Sequence, residues 1–132
     1  MAKLRHIALS VTDLEKSAQF YEKTFELKRV GTTDSELAKG IYLSDGTVSL
    51  ALLIYKTDAA AGKLGKDFVG VNHIGFWVDD LDKADESIQA NGGEFFLDLP
   101  DAKDTLYYEK KYHDPDGIVF DISHHGWAGA TK

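Results

Sequence analysis

The chain writes one passage twice, and that duplication limits its fold more than any other feature. Placing His73 under His6 also sets Ile74 under Ile7, Val78 under Val11, Asp80 under Asp13, Leu81 under Leu14 and Lys83 under Lys16. A repeat of this length implies two copies of one supersecondary unit, each with an apolar face for the other to cover.

Each copy begins with a short apolar, β-branched and aromatic run, Leu4 to Val11 or Val71 to Val78, which reads as a buried strand. An aspartate follows, Asp13 or Asp80, suited to cap the first turn of a helix. Leu14, Ala18, Tyr21 and Phe25 then recur at helical spacing. The second helix runs from about Leu81 to Ala90 and ends at the turn-forming Asn91 to Gly93. Three strand-like segments close each copy: Lys28 to Thr32, Gly40 to Leu43 and Thr47 to Tyr55, then Glu94 to Leu97, Tyr107 to Tyr112 and Ile118 to Ser123. The turns at Ser44 to Gly46 and Asp114 to Gly117 make the last two strands of each copy hairpins. The expected class is therefore α+β, with two β-α-β-β-β modules over residues 1–55 and 71–126 forming a curved mixed sheet. A small, Gly-rich joint spans 56–70 and a tail 127–132, all within one domain.

Composition removes several functions. Fifteen basic against 22 acidic residues leave a net charge of −7, which repels nucleic-acid backbones. No apolar run is long enough for a membrane span or a secretory signal, so a cytoplasmic location is expected. With no cysteine, a metal must be held by imidazole, carboxylate or water.

Strand alternation puts His6 on the face of Leu4, Ala8 and Ser10, and His73 on the face of Val71, Gly75 and Trp77, away from the helices. Asp121 interrupts the apolar run Ile118 to Ser123, where an unpartnered carboxylate is costly. A lone strand histidine is usually a hydrogen-bonded core residue. Two in register plus an isolated carboxylate instead suggest a three-ligand site with open positions for substrate.

The paired modules, "HIALSVTDLEKSAQFY" and "HIGFWVDDLDKA", and the closing "DPDGIVFDIS" resemble the vicinal oxygen chelate superfamily: glyoxalase I, extradiol dioxygenases, methylmalonyl-CoA epimerase, and the bleomycin and fosfomycin resistance proteins. The resemblance covers residues 4 to 125. It implies metal ligands on the first and last strands of each copy, which by turn alignment are His6, Leu50, His73 and Asp121. Leu50 cannot ligate, and the remaining His6, His73 and Asp121 set is similar to that of the extradiol dioxygenases and the fosfomycin resistance transferases. Asp121 is one methylene shorter than the family's usual glutamate.

The resemblance implies a metal-dependent enzyme that binds adjacent oxygens of a small molecule, first as a ring-cleaving dioxygenase. The alternatives are a glyoxalase-like lyase or isomerase, and a drug-sequestering protein without catalysis. Fe(II) or Mn(II) is the favoured ion, with Zn(II), Ni(II) or Co(II) as alternatives, and a homodimer is the expected assembly. By the same resemblance Tyr112 and His125 are acid–base candidates. Trp77, Lys111 and Tyr107 are candidate substrate contacts. The acidic run around Asp79 to Glu86 reads simply as a solvated helix face.

Overall fold

The computed structural model describes residues 1–99 and 108–132. The first module comprises β1 (Lys3–Ser10), α1 (Leu14–Phe25), β2 (Lys28–Asp34), β3 (Ala38–Ser44) and β4 (Ser49–Tyr55). The second comprises β5 (Gly70–Trp77), α3 (Leu81–Ala90), β6 (Glu94–Asp98), β7 (Lys110–His113) and β8 (Val119–Ser123). The joint is more ordered than its composition suggests. Thr57 caps a short helix, α2 (Asp58–Ala61), whose Ala60 and Ala61 are buried, and a 3₁₀ turn at Gly62–Leu64 follows.

The strands form one eight-stranded mixed sheet in the order β2-β3-β4-β1-β5-β8-β7-β6. Within each module the first strand pairs parallel with the last, β1 with β4 and β5 with β8. The modules meet where β1 and β5 run antiparallel. Both principal helices start as expected: the carboxylates of Asp13 and Asp80 accept from the backbone N–H of Lys16 and Lys83 at 3.0 Å.

One face of the sheet carries the helices. Ala18 of α1 packs on Ile41, Leu43 and Leu52, while Leu81, Ala84 and Ile88 of α3 cover Val78, Tyr112 and Ile122. On the other face Ala8, Ala38, Ala51 and Leu53 pack with Tyr55 and with Ala60 and Ala61 of α2. These small side chains leave a hollow of about 250 Å³.

Register corrects one sequence alignment. Gly75 pairs with Asp121, and its counterpart Ala8 pairs with Ala51, so Ala51 rather than Leu50 occupies the position equivalent to Asp121. One more residue separates Gly46 from the start of β4 than separates Gly117 from the start of β8, so the two turn glycines are not equivalent. Leu50 faces the helix layer. Ala51 faces the hollow and is no more able to ligate, so the fourth position is still empty of a donor.

Candidate metal centre and cavity

Three adjacent strands assemble the site in one row. His6 on β1 stands opposite Gly75 on β5, which stands beside Asp121 on β8. The glycine is required by space: a Cβ at Gly75 would lie 2.7 Å from the Trp127 ring and 2.9 Å from the His6 Cβ. His73 sits one step along β5 opposite Ala8, another small residue, so the two imidazoles meet without obstruction.

His6 Nε2 lies 3.3 Å from His73 Nε2, and Asp121 Oδ2 lies 3.0 Å from His73 Nε2 and 3.9 Å from His6 Nε2. All three residues are buried. Metal bonds of about 2.0–2.2 Å separate neighbouring ligand atoms by about 3–3.5 Å, which two of the three spacings match, and the third, between His6 and Asp121, is wider by a few tenths of an ångström. Tautomer chemistry agrees. Asn72 Oδ1 lies 2.7 Å from His73 Nδ1 and accepts its proton, which leaves the Nε2 lone pair aimed at the Asp121 oxygen. Two acceptors facing each other at 3.0 Å with no hydrogen between them are a place for a cation. The residues present therefore fit a metal ion, and His6, His73 and Asp121 form a group that could hold one.

Burial drives His6 down to about 3, with His73 and Lys111 lowering it further against a raising effect of Glu109. Burial, then the Lys111 charge, holds His73 well below the ordinary imidazole value. Both rings are thus neutral at pH 7, as ligation requires.

Lys111 on β7 reaches the same centre. Its Nζ donates to Asp121 Oδ1 at 3.0 Å and Oδ2 at 2.9 Å, and the residue is only 5% exposed. Burial alone would lower its pKa, but Asp121 and Glu109 outweigh that and hold it above the usual lysine value. The Tyr55 hydroxyl lies 3.3 Å from Asn72 Oδ1 and 3.4 Å from His73 Nδ1, and burial pushes it up to about 12.

The cavity opens above His6 and His73. Glu109, Lys111 and Tyr55 stand at this polar end, and Leu37, Leu53, Leu97 and Leu99 form an apolar wall.

The structure brings together four of the residues singled out in the sequence: His6, His73, Asp121 and Lys111. Three others lie elsewhere. Tyr112 is the neighbour of Lys111 on β7 and so points to the opposite face, where its hydroxyl bonds Asp85 of α3 within the helix-side core. This corrects its expected acid–base role, because a residue buried beneath a helix cannot reach the cavity. His125 lies exposed beyond β8, its ring against His124 and its backbone N–H on Ser123 Oγ, and this too corrects the acid–base expectation. Trp77 shares the face of His73 but sits at the far end of β5, where its Nε1 donates to the His124 carbonyl at 3.1 Å and its ring packs on Gly126. It does not line the cavity. Tyr107 lies outside the described residues.

Sequence reasoning missed Asn72 and Tyr55 beside His73, and also Trp127 and Glu109. Trp127, in the supposed tail, stacks on His6 with ring centroids 4.7 Å apart and planes within 3°. Its Nε1 donates to Glu109 Oε2 at 2.7 Å, which leaves the other Glu109 oxygen 3.5 Å from Lys111 Nζ. An aromatic just past a strand and a glycine turn was the only available signal for Trp127, and Glu109 gave none.

The profile of the Glyoxalase/Bleomycin resistance protein/Dioxygenase superfamily matches residues 3–122. The chain belongs to this superfamily. It is 26% identical to a probable lactoylglutathione lyase of Vibrio parahaemolyticus serotype O3:K6, over 97% of this chain and 94% of that protein. Among solved structures, a Streptomyces coelicolor methylmalonyl-CoA epimerase variant in complex with 2-nitronate-propionyl-CoA shares the fold at TM-score 0.74. It has 22% identity and covers 91% of this chain and 94% of the epimerase. A hypothetical protein from Bacillus halodurans C-125 superposes with TM-score 0.73 at 22% identity, covering 92% of each chain.

Proposed function

We propose that the protein is a divalent-metal-dependent lyase or isomerase acting on a small carbonyl compound, with His6, His73 and Asp121 as the metal ligands. The observation that carries this reading is the convergence of two imidazole Nε2 atoms and one carboxylate oxygen, with the two imidazoles lining a partly apolar cavity. A bound divalent ion supplies Lewis acidity toward the substrate oxygens.

The chain's own groups supply the rest. Glu109 is the cavity carboxylate outside the metal set. Held by Trp127 through one oxygen, it accepts a proton from the carbon beside the carbonyl and returns it to the adjacent carbon or to the opposite face. Lys111 keeps Asp121 aimed at the centre. The leucine wall excludes water and takes the substrate's apolar portion. The names of the lyase and epimerase relatives support proton transfer of this kind, and none of those relatives is named as a dioxygenase.

A second reading, ring-cleaving dioxygenase activity, is favoured by Ala51. With no donor opposite Asp121, only two histidines and one carboxylate remain, the donor set of many Fe(II) oxygenases.

The deciding experiment loads the protein separately with Zn(II), Ni(II), Mn(II) and Fe(II). It then offers the hemithioacetal of methylglyoxal and glutathione, methylmalonyl-CoA, and a catechol panel under oxygen-electrode monitoring. The proposed function expects metal-dependent conversion without oxygen uptake, abolished in His73→Ala and lowered about 10²–10⁴-fold in Glu109→Gln. Oxygen uptake confined to catechols transfers the assignment to the second reading. Failure to bind any of the four ions rejects both.

A further inference from the structure

The centre already contains a cation. Asp121 is completely enclosed, and the charge that faces it among the described residues is the Lys111 ammonium, which bonds both of its oxygens almost symmetrically, at 3.0 and 2.9 Å. Strand register builds this contact: Lys111 and Asp121 are directly paired on β7 and β8, with both side chains on the cavity face. A buried carboxylate without a partner is strongly unfavourable. Lys111 therefore does in the metal-free protein what a divalent ion would otherwise do.

Charge counting gives the consequence. Two neutral imidazoles, Asp121 and Glu109 would present a charge of −2, and Lys111 reduces it to −1, so an incoming divalent ion meets a centre already half neutralised. Among the described residues Glu109 is the other charged group facing Lys111, with Oε1 at 3.5 Å; its Oε2 accepts from Trp127 Nε1, which turns it partly away from Lys111 while leaving its charge in place. The geometry points to Lys111 as a resident counter-cation that keeps His6, His73 and Asp121 assembled without metal and sets metal affinity low, so that the ion must compete with a fixed positive charge. This inference rests on the ligation reading of the three residues and goes beyond it. It predicts that removing a buried ion-pair partner makes the protein bind metal more tightly, the reverse of what loss of a structural residue does.

The test uses the full chain, with Co(II) as probe, followed by its visible absorption and by thermal unfolding with and without the ion. Lys111→Met and Lys111→Gln should each bind Co(II) about tenfold more tightly or better, because a like charge within a few ångströms has been removed. Both variants should also be less stable than the parent without metal and should gain more from Co(II). Lys111→Arg, which keeps the charge, should stay within about threefold of the parent. If Lys111→Met folds only when Co(II) is present, that supports the inference directly, and Lys111→Gln, which retains hydrogen-bonding capacity, supplies the affinity. Equal or weaker Co(II) binding in both charge-removing variants overturns the role of Lys111 while leaving the ligands intact. Absence of Co(II) binding in the parent and every variant overturns the ligand assignment itself, and the counter-cation role with it.

Discussion

At the scale of single residues, the centre depends on groups that never touch the cavity. Asn72 matters through His73: its carbonyl oxygen fixes the Nδ1–H tautomer and so frees Nε2. Replacing such a partner of a ligating histidine typically costs about 10–100-fold in metal affinity. Asn72→Leu should show a loss of that size in a Co(II) titration, with secondary structure unchanged by circular dichroism. The two imidazoles also predict an acid response of the metal-free protein. In the folded state His6 lies at about 3 and His73 well below its ordinary 6.5, chiefly through burial. The unfolded chain therefore binds more protons than the folded one below about pH 6.5, and stability must fall as pH drops through that range. Depressed carboxylates such as Asp34 and Asp85, held down by their bonds to Lys56 and Tyr112, begin to contribute only nearer the ordinary aspartate value of 3.8. Urea midpoints measured between pH 7 and 4.5 should decline in the parent and decline less in His6→Gln.

At the scale of elements, the segment after β8 closes the site. Gly126, with φ of +76°, turns the chain over Trp77, and Trp127 then lies flat on His6. Beyond it, the Ser44 hydroxyl donates to the Gly129 carbonyl, the Thr131 hydroxyl to Gly46, and the Arg5 guanidinium to Thr131, which ties the strap to the β3–β4 turn and to β1. Trp127 is 6% exposed. Truncation to alanine should cost about 3–5 kcal/mol in urea unfolding, and Trp127→Phe, which keeps the stack but drops the bond to Glu109, clearly less.

Much of this architecture was readable in the sequence. The duplicated strand–aspartate–helix passages give β1, α1, β5 and α3, with the capping residues correctly placed, because period and capping chemistry are local. What stayed hidden depends on contacts distant in sequence or on broken alternation. Asn72 is the extra residue of a bulge in β5, where pairing passes from Ala8 with His73 to Leu9 with Val71. Simple parity would send Asn72 to the face opposite His73, yet both side chains are buried at the centre. Parity also separates Lys111 from Tyr112, so only one of these two neighbours could face the cavity.

At the scale of the whole molecule, the question is which chain completes which site. A duplicated module can pair with its own twin or with that of a second copy, and the sequence of the joint permits either. In this structure the joint is partly helical, Ala60 and Ala61 of α2 pack against the cavity-side core, and β1 pairs with β5 of the same chain along most of its length. His6, from the first module, therefore meets His73 and Asp121 from the second without a partner subunit. Complementation separates the two arrangements whatever the oligomeric state. His6→Ala carries a damaged first module and His73→Ala a damaged second one. If modules were exchanged between chains, unfolding and refolding an equimolar mixture would create mixed pairs in which one of two sites is wholly intact, and Co(II) binding would reappear. With each site closed inside one chain, every site in the mixture keeps one missing imidazole, so the refolded mixture should bind no more Co(II) than the separate variants, while the parent treated in the same way recovers one ion per chain.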